Sequence, residues 1–288
     1  MTIKKALIPA AGFGTRMLPA AKAVPKELLP ILDRPTIQYV VDEAAAGGID
    51  DVLLVTSREK GAIEDHFKPN ARLRQRLEAG GKDALLASVD RLVASVKIHS
   101  VDQPEQRGLG DAVFQGRNNL KSEPFLCLLG DTIFSGNVLP AQQLIQAHKE
   151  LGTAIIGLEE IPAERVDRYG IVGGTLISPS VMKIDRLVEK PKRDEAPSRF
   201  AIAARYILTP AIFECLEQTT PGKGGEFQLT DALQVLLARE PIHGIVLSAR
   251  RHDIGNPIDW LKTNLIFARR DEKMWKEIST LLNSLVES

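Results

Sequence analysis

From residue 5 to residue 151 the chain alternates short, unbroken apolar runs with longer stretches whose apolar positions recur every three or four residues. Runs at 5–9 (KALIP), 51–57 (DVLLVTS), 96–101 (VKIHSV) and 124–129 (PFLCLL) predict strands, the last covered on both faces because no position in it is polar. Segments 35–46, 59–67, 72–93, 110–118 and 140–151 read as helices. Gly47-Gly48 ends the first of these, and Gly80-Gly81 breaks the third. Strand and helix in this rhythm predict a parallel sheet wound from the N-terminus. After residue 151 the texture changes. Short β-like runs at 153–158, 170–176 and 181–188, joined by Gly and Pro turns, predict an antiparallel excursion beside the main sheet. Segment 201–208 (AIAARYIL) returns as a strand, 229–239 as a helix, 242–249 as a late strand and 257–284 as C-terminal helices. The expected fold is therefore α/β and Rossmann-like, a mostly parallel central sheet flanked by helices, with a small antiparallel part and C-terminal helices. No repeat, linker or low-complexity stretch divides it. One domain is expected, with parts at 1–140, 141–255 and 256–288.

Bulk properties narrow the partners. Thirty-seven basic residues balance 37 acidic ones, so nothing favours nucleic acid or an anionic membrane, and any anion site must be a local concentration of charge. Two cysteines, Cys127 and Cys215, lack C-x-x-C spacing and read as buried thiols in a reducing compartment. The apolar part of the N-terminus is too short for a signal peptide, and no run approaches the roughly 18 residues of a membrane span. A cytoplasmic protein is expected.

The first strand opens into Gly12-Phe13-Gly14-Thr15-Arg16, and Arg16, Lys22 and Lys26 follow within a segment interrupted by Pro19 and Pro25. The prolines argue against a continuous helix and for a stiff, irregular loop. Glycines let backbone N–H groups face one anion, and three cations beside them suit a polyphosphate. A plain strand-to-helix turn is the alternative, although a turn has no need of the cations. Neither common phosphate fingerprint is present. Met17 stands where a dinucleotide site needs its third glycine, which disfavours an oxidoreductase, and Gly81-Lys82 is followed by Asp83.

Four other constellations carry chemistry. Asp131 closes the buried run at its carboxyl end, where ligands of parallel sheets bind; it reads as a metal ligand or as a turn former. Asp253, in HDIGN, reads by itself as the cap of the helix starting near Pro257. Gln103 and Gly108 lie between a strand and a helix, where a Gln amide can pair with a flat base; another register would use Gln106 instead. Gly170 after Tyr169, with Glu189 and Lys190 in VEKPK, could take sugar hydroxyls and a phosphate, or form a solvated turn. The segment 225–231 reads mainly as a helix start capped by Thr230 and Asp231, with a place at the border of the pocket of Gly170, Glu189 and Lys190 as the alternative.

The segment GFGTRMLPAAKAVPKELLPILDRP closely resembles the G-x-G-T-R-x-x-P-x-x-K-x-x-P-K-E-x-L-P stretch of sugar-1-phosphate nucleotidylyltransferases. K-x-x-P-K-E favours the UTP–glucose-1-phosphate uridylyltransferase branch over the thymidylyltransferase branch. The resemblance continues in order through Asp131, the Y-G-x-V and E-K-P segments, G-x-E-x-Q-L-T-D and D-x-G. It implies transfer of a uridylyl group from UTP to glucose 1-phosphate, giving UDP-glucose and pyrophosphate, with Mg²⁺ on Asp131 and Asp253. It implies nucleotide contacts at Ala11, Gly12, Gly14, Thr15, Lys22, Glu27, Gln103 and Gly108, with Glu27 either touching the base or ordering the loop. It implies catalytic roles for Arg16, Lys26, Asp131 and Lys190, and sugar contacts at Gly170, Glu189 and Lys190. It also implies a homodimer or homotetramer. The chain departs from the pattern at Thr132, where many relatives have a second Asp, and at Asp102, where relatives often have Arg. A regulatory homologue that only binds nucleotide sugar is the alternative from another class; the intact Arg16 segment speaks against it.

Overall fold

Ala6, Leu7 and Ile8 have no exposed surface, because the strand they form is packed on both faces. In this computed structural model, which describes residues 2–94 and 96–286, β1 (Lys5–Pro9) leads through a loop of short turns into a small hairpin, β2 (Pro30–Ile31) with β3 (Arg34–Pro35). Then come α1 (Thr36–Ala46), β4 (Asp51–Thr56), α2 (Gly61–His66), α3 (Ala71–Ala79), α4 (Asp83–Ala94) and β5 (Lys97–Asp102). The first half closes with α5 (Leu109–Gln115), α6 (Arg117–Leu120), β6 (Phe125–Leu128), β7 (Thr132–Ser135) and α7 (Pro140–Leu151). The second half runs β8 (Ala154–Glu160), β9 (Gly170–Ser178), β10 (Val181–Glu189), β11 (Phe200–Leu208), α8 (Ala211–Gln218), α9 (Leu229–Leu237), β12 (Ile242–Val246), β13 (Arg250–Asp253), α10 (Pro257–Ala268) and α11 (Glu272–Val286).

Nine strands make one sheet in the order β5-β4-β1-β6-β11-β8-β12-β10-β9. β5, β4, β1 and β6 are mutually parallel, and β12 runs parallel to β8. β11 enters antiparallel between β6 and β8. The antiparallel strands lie beside the parallel ones as expected, and hydrogen bonding along β11 makes the two parts one continuous sheet. Alternation along the parallel strands sends Leu7, Leu53 and Cys127 into one layer with Val113, Leu216 and Leu233 of α5, α8 and α9. Ile8, Leu54 and Leu126 go into the other, with Val40, Leu144 and Phe267 of α1, α7 and α10. Two covered faces explain why these strands read as unbroken apolar runs.

Two elements escape the periodicity. β7 and β13 form their own two-stranded antiparallel sheet, with Asp253 opposite Thr132. The expected late strand stops at Val246, and the chain turns into β13. His252 of β13 is buried, bonded to Ser135 Oγ at 2.8 Å and set edge-on to Phe267, and its pKa is pushed down to about 4 by burial. Among the described residues no helix is long and apolar enough to cross a membrane.

Candidate active site

The carboxyl ends of the four parallel strands are stitched together by backbone bonds. Ala10 N–H donates to Val55 (2.8 Å), Gln103 N–H to Thr56 (2.8 Å) and Gly130 N–H to Pro9 (3.2 Å). The Gly loop, Gln103 and Asp131 therefore converge on one rim, as parallel-sheet geometry requires.

Within the loop, Gly14 has φ +67°, and a Cβ there would lie 3.1–3.2 Å from the aliphatic stem of Lys26. Only glycine meets both demands without strain. Pro19 and Pro25 divide the segment into three separate short turns, Thr15–Met17, Ala20–Lys22 and Lys26–Leu28. Arg16 and Lys26 face the site from the outer two. Lys22, in the middle turn, is exposed and lines neither cavity described below, so the nucleotide contact expected of it has no support in the geometry.

The loop is held from beneath by Lys60. Its Nζ donates to the carbonyls of Ala10 (2.7 Å) and Gly12 (2.6 Å) and to Glu27 Oε2 (2.9 Å). Glu27 is 1% exposed, and its bond to Lys60 supports the ordering of the loop, one of its two expected roles. Burial lowers the Lys60 pKa and raises that of Glu27, each opposed by the partner's charge. Removing one member of such a pair strands the other charge. Lys60→Met is expected to cost about 3–5 kcal/mol, and Lys60→Met with Glu27→Gln to recover part of that. Urea unfolding of the three proteins checks it; equal midpoints for the single mutant and wild type would refute the tether.

Asp131 receives Lys26 Nζ on Oδ2 at 2.5 Å. Burial pushes its carboxyl pKa up, but Lys26 and Arg16 outweigh that and hold it below the usual value. Lys26 loses to burial as well, yet Asp131 and Glu27 leave its pKa raised. The β7–β13 pairing, together with Ile254 N–H on the Asp131 carbonyl (3.0 Å), brings Asp253 alongside. Burial and the nearby Asp131 raise the Asp253 pKa. The Arg16 guanidinium lies over Gly255, where a Cβ would sit 2.7 Å from Nη2. Among the described residues no group of three or more His, Cys, Asp or Glu could hold a metal ion. A cation here would have at most two protein carboxylates, the donor set Mg²⁺ accepts when phosphate oxygens and water complete its shell.

Two groups are held in place by Arg205, which the sequence did not single out, and by Thr230, which it offered as a helix cap. Arg205, fully buried in β11, forms a two-pronged pair with Glu43 of α1 (2.9 and 2.8 Å) and donates to the carbonyls of Thr132 (2.8 Å) and Leu129 (3.4 Å), bracketing Gly130 and Asp131. Glu189 Oε2 accepts from Thr230 Oγ1 at 2.6 Å, and Oε1 lies 2.8 Å from Lys190 Nζ. Thr230 is thus a partner of Glu189, while α9 has Gln228 as N-cap with no side-chain cap bond, which corrects the capping role expected of Thr230 and Asp231. Gly170 is needed for close approach. A Cβ there would lie 2.9 Å from Thr230 Oγ1 and 3.2 Å from Glu189 Oε2.

These groups line two cavities. One of about 440 Å³ is bordered by Ala11, Gly12, Gly14, Thr15, Lys26, Glu27, Gln103, Gln106 and Gly108. The other, about 700 Å³, is bordered by Arg16, Gly170, Glu189, Lys190, Thr230, Arg251 and Asp253. Asp131, Leu109, Leu129 and Glu226 belong to both, so Asp131 stands at the junction.

Residues 5–269 match the nucleotidyl transferase family. The chain belongs to that family. Among curated nucleotidyl transferases it is 44% identical over 285 residues to "UTP--glucose-1-phosphate uridylyltransferase 1" of Staphylococcus saprophyticus, covering 99% of both chains. It is 44% identical over 283 residues to the UTP--glucose-1-phosphate uridylyltransferase of Staphylococcus haemolyticus, covering 98% of both. Among solved structures it superposes on a UTP-bound UGPase from Acinetobacter baumannii with a TM-score of 0.91 and 35% identity, over 98% of this chain and 99% of that one. A UDP-glucose pyrophosphorylase complexed with UDP-glucose gives 0.86 at 35% identity, over 93% and 99%.

In this nucleotidyl transferase every site residue expected from sequence except Lys22 lines one of the two cavities. Lys60 and Arg205 are the additions, and Thr230 exchanges its expected capping role for a bond to Glu189. A single arginine inside an otherwise apolar strand was a readable sign that something buried must pair with it. Lys60 lies in Arg58-Glu59-Lys60, a charge run at the start of the expected helix 59–67 that looks solvated.

Proposed function

We propose that this protein transfers a uridylyl group from UTP to α-D-glucose 1-phosphate, giving UDP-glucose and pyrophosphate. The observation that carries this reading is the position of Asp131 between a cavity walled by the Gly loop and Gln103 and one walled by Glu189 and Lys190. A nucleotide in the first and a sugar phosphate in the second would meet at that carboxylate. The names of the relatives support the same donor and acceptor. Two free, buried cysteines fit a reducing cytoplasm.

A phosphate oxygen of the sugar phosphate forms a bond to the α-phosphorus of UTP, and the bond from that phosphorus to the bridging α–β oxygen breaks, its electron pair leaving with pyrophosphate. A sugar phosphate is largely dianionic at neutral pH, since its second pKa is near 6. No catalytic base is required, and none of the five histidines has to supply one. The obstacle is repulsion between two anions that must align, so positioning and neutralisation carry the rate. Gly-loop N–H groups, Arg16 and Lys26 hold the triphosphate and its leaving group. Lys190 holds the attacking phosphate, with its backbone N–H fixed on the Tyr169 carbonyl at 3.0 Å. Glu189, oriented by Thr230, accepts from sugar hydroxyls. Mg²⁺ held by Asp131 and Asp253 would supply charge neutralisation at the reacting phosphates.

Pyrophosphate release with glucose 1-phosphate and Mg²⁺ tests the reading. Strong preference for UTP over dTTP, abolished by EDTA, is expected. Equal or better use of dTTP would reassign the nucleotide, and no release with either would overturn the activity.

A further inference from the structure

Gln103 is 3% exposed, borders the smaller cavity and carries an amide whose two ends have opposite hydrogen-bonding character. Its Nε2 donates to Asp111 Oδ2 at 2.7 Å and to the Gly108 carbonyl at 3.3 Å. Both partners are acceptors. Turning the amide over would set its oxygen against a carboxylate and a carbonyl, so this arrangement permits one orientation only. Among the described residues, Oε1 of Gln103 accepts no hydrogen bond, yet it is not among the buried polar atoms sealed from solvent. Because Gln103 borders the cavity, an acceptor that is neither bonded nor sealed is offered to whatever fills it. Asp111, 6% exposed, is itself fixed, because its Oδ1 receives Arg107 Nη2 at 3.0 Å and Gln115 Nε2 at 3.3 Å.

We propose that Asp111 determines which pyrimidine base the enzyme accepts, by holding Gln103 with its carbonyl oxygen toward the base. This rests on the reading that Gln103 faces the base of the bound nucleotide. Uracil presents N3–H, a donor, and a fixed acceptor pairs with it. Cytosine presents an unprotonated N3, and the same acceptor opposes its lone pair. Thymine has the same N3–H as uracil, so this device separates UTP from CTP and is indifferent to the difference between UTP and dTTP. Asp111 touches no substrate; it is a positioning residue acting through Gln103.

Asp111→Asn reverses the polarity. The asparagine oxygen stays with Arg107 and Gln115, both donors, so its NH₂ replaces Oδ2 and faces Gln103. The glutamine amide then turns, against only the longer contact with Gly108, and presents its nitrogen to the base. The experiment is kcat/KM of the full chain for UTP, CTP and dTTP with glucose 1-phosphate. Asp111→Asn is expected to lower the UTP/CTP ratio about tenfold or more, since a site built around a substrate N–H discriminates strongly against the base that lacks it. The UTP/dTTP ratio is expected to stay constant. A loss shared equally by all three nucleotides would mean a merely structural role and overturn the proposal. Asp111→Ala, which removes the acceptor without adding a donor, is expected to lower the UTP/CTP ratio by a smaller factor, and keeps the test open if the asparagine variant folds poorly. Gln103→Leu separates the two levels of the argument. If it leaves the UTP/CTP ratio unchanged, the placement of Gln103 at the base fails. If it lowers the ratio while neither Asp111 variant does, Gln103 reads the base and Asp111 does not set its orientation.

Discussion

Asp131→Asn is expected to lower kcat about 10²- to 10³-fold, and raising Mg²⁺ is not expected to restore it. The charge lost stands at the junction of the two cavities, where transition-state charge has to be neutralised by groups already in place. The substitution also releases Lys26, whose ammonium is bonded to this carboxylate at 2.5 Å. The isosteric amide keeps the volume and the backbone bonds of Gly130 and Ile254, so the protein should remain folded while turnover falls. Pyrophosphate release against Mg²⁺ concentration is the measurement, and near-normal turnover at moderate Mg²⁺ would exclude Asp131 as a cation ligand. The carboxyl pKa of Asp131 is depressed, so its stabilising pair with Lys26 is present above the unfolded value near 3.8 and is lost as pH falls through the lower folded one. At working pH the wild-type group is fully charged, and the amide therefore measures removal of a whole charge.

Arg16→Ala should be comparably damaging to the chemistry and nearly silent in stability. Positioned arginines that neutralise phosphoryl-transfer charge are worth about 10³-fold or more in kcat. Arg16 is exposed, and exposed substitutions away from special features change stability by roughly 0.5 kcal/mol or less. The paired measurement is kcat at saturating substrates together with a thermal melt. Unchanged turnover removes the assigned role, and a collapsed melting transition would recast Arg16 as a structural residue over Gly255.

The parallel half of the fold was legible because its strands are covered on both faces. β1 was read at 5–9 and observed at Lys5–Pro9, and the break at Gly80-Gly81 separates α3 from α4. The Gly loop was legible too, since a specific run of glycines, prolines and cations follows a buried strand, whereas the candidate residues beyond it rest on the resemblance. Strand order was not. Periodicity says which face a residue buries but not which neighbour it pairs with, so the entry of β11 beside β6 could not be read from AIAARYIL. β7 and β13 are four residues each, and RRHD in β13 carries no alternation to betray it. Without that pairing, the sequence could place Asp253 beside Asp131 only by resemblance. Asp111 went unnoticed because an acidic residue in the first turn of a helix already has an ordinary explanation.

Arg205 reaches Glu43 across 162 positions of sequence. A ribosome making this protein therefore releases the whole parallel part, with β6 as an open sheet edge and Glu43 without its cation, well before β11 emerges. The turn at Gly130-Asp131 gets its bracket from Arg205 only then. Until then the growing chain depends on whatever shields exposed strand edges in the cell.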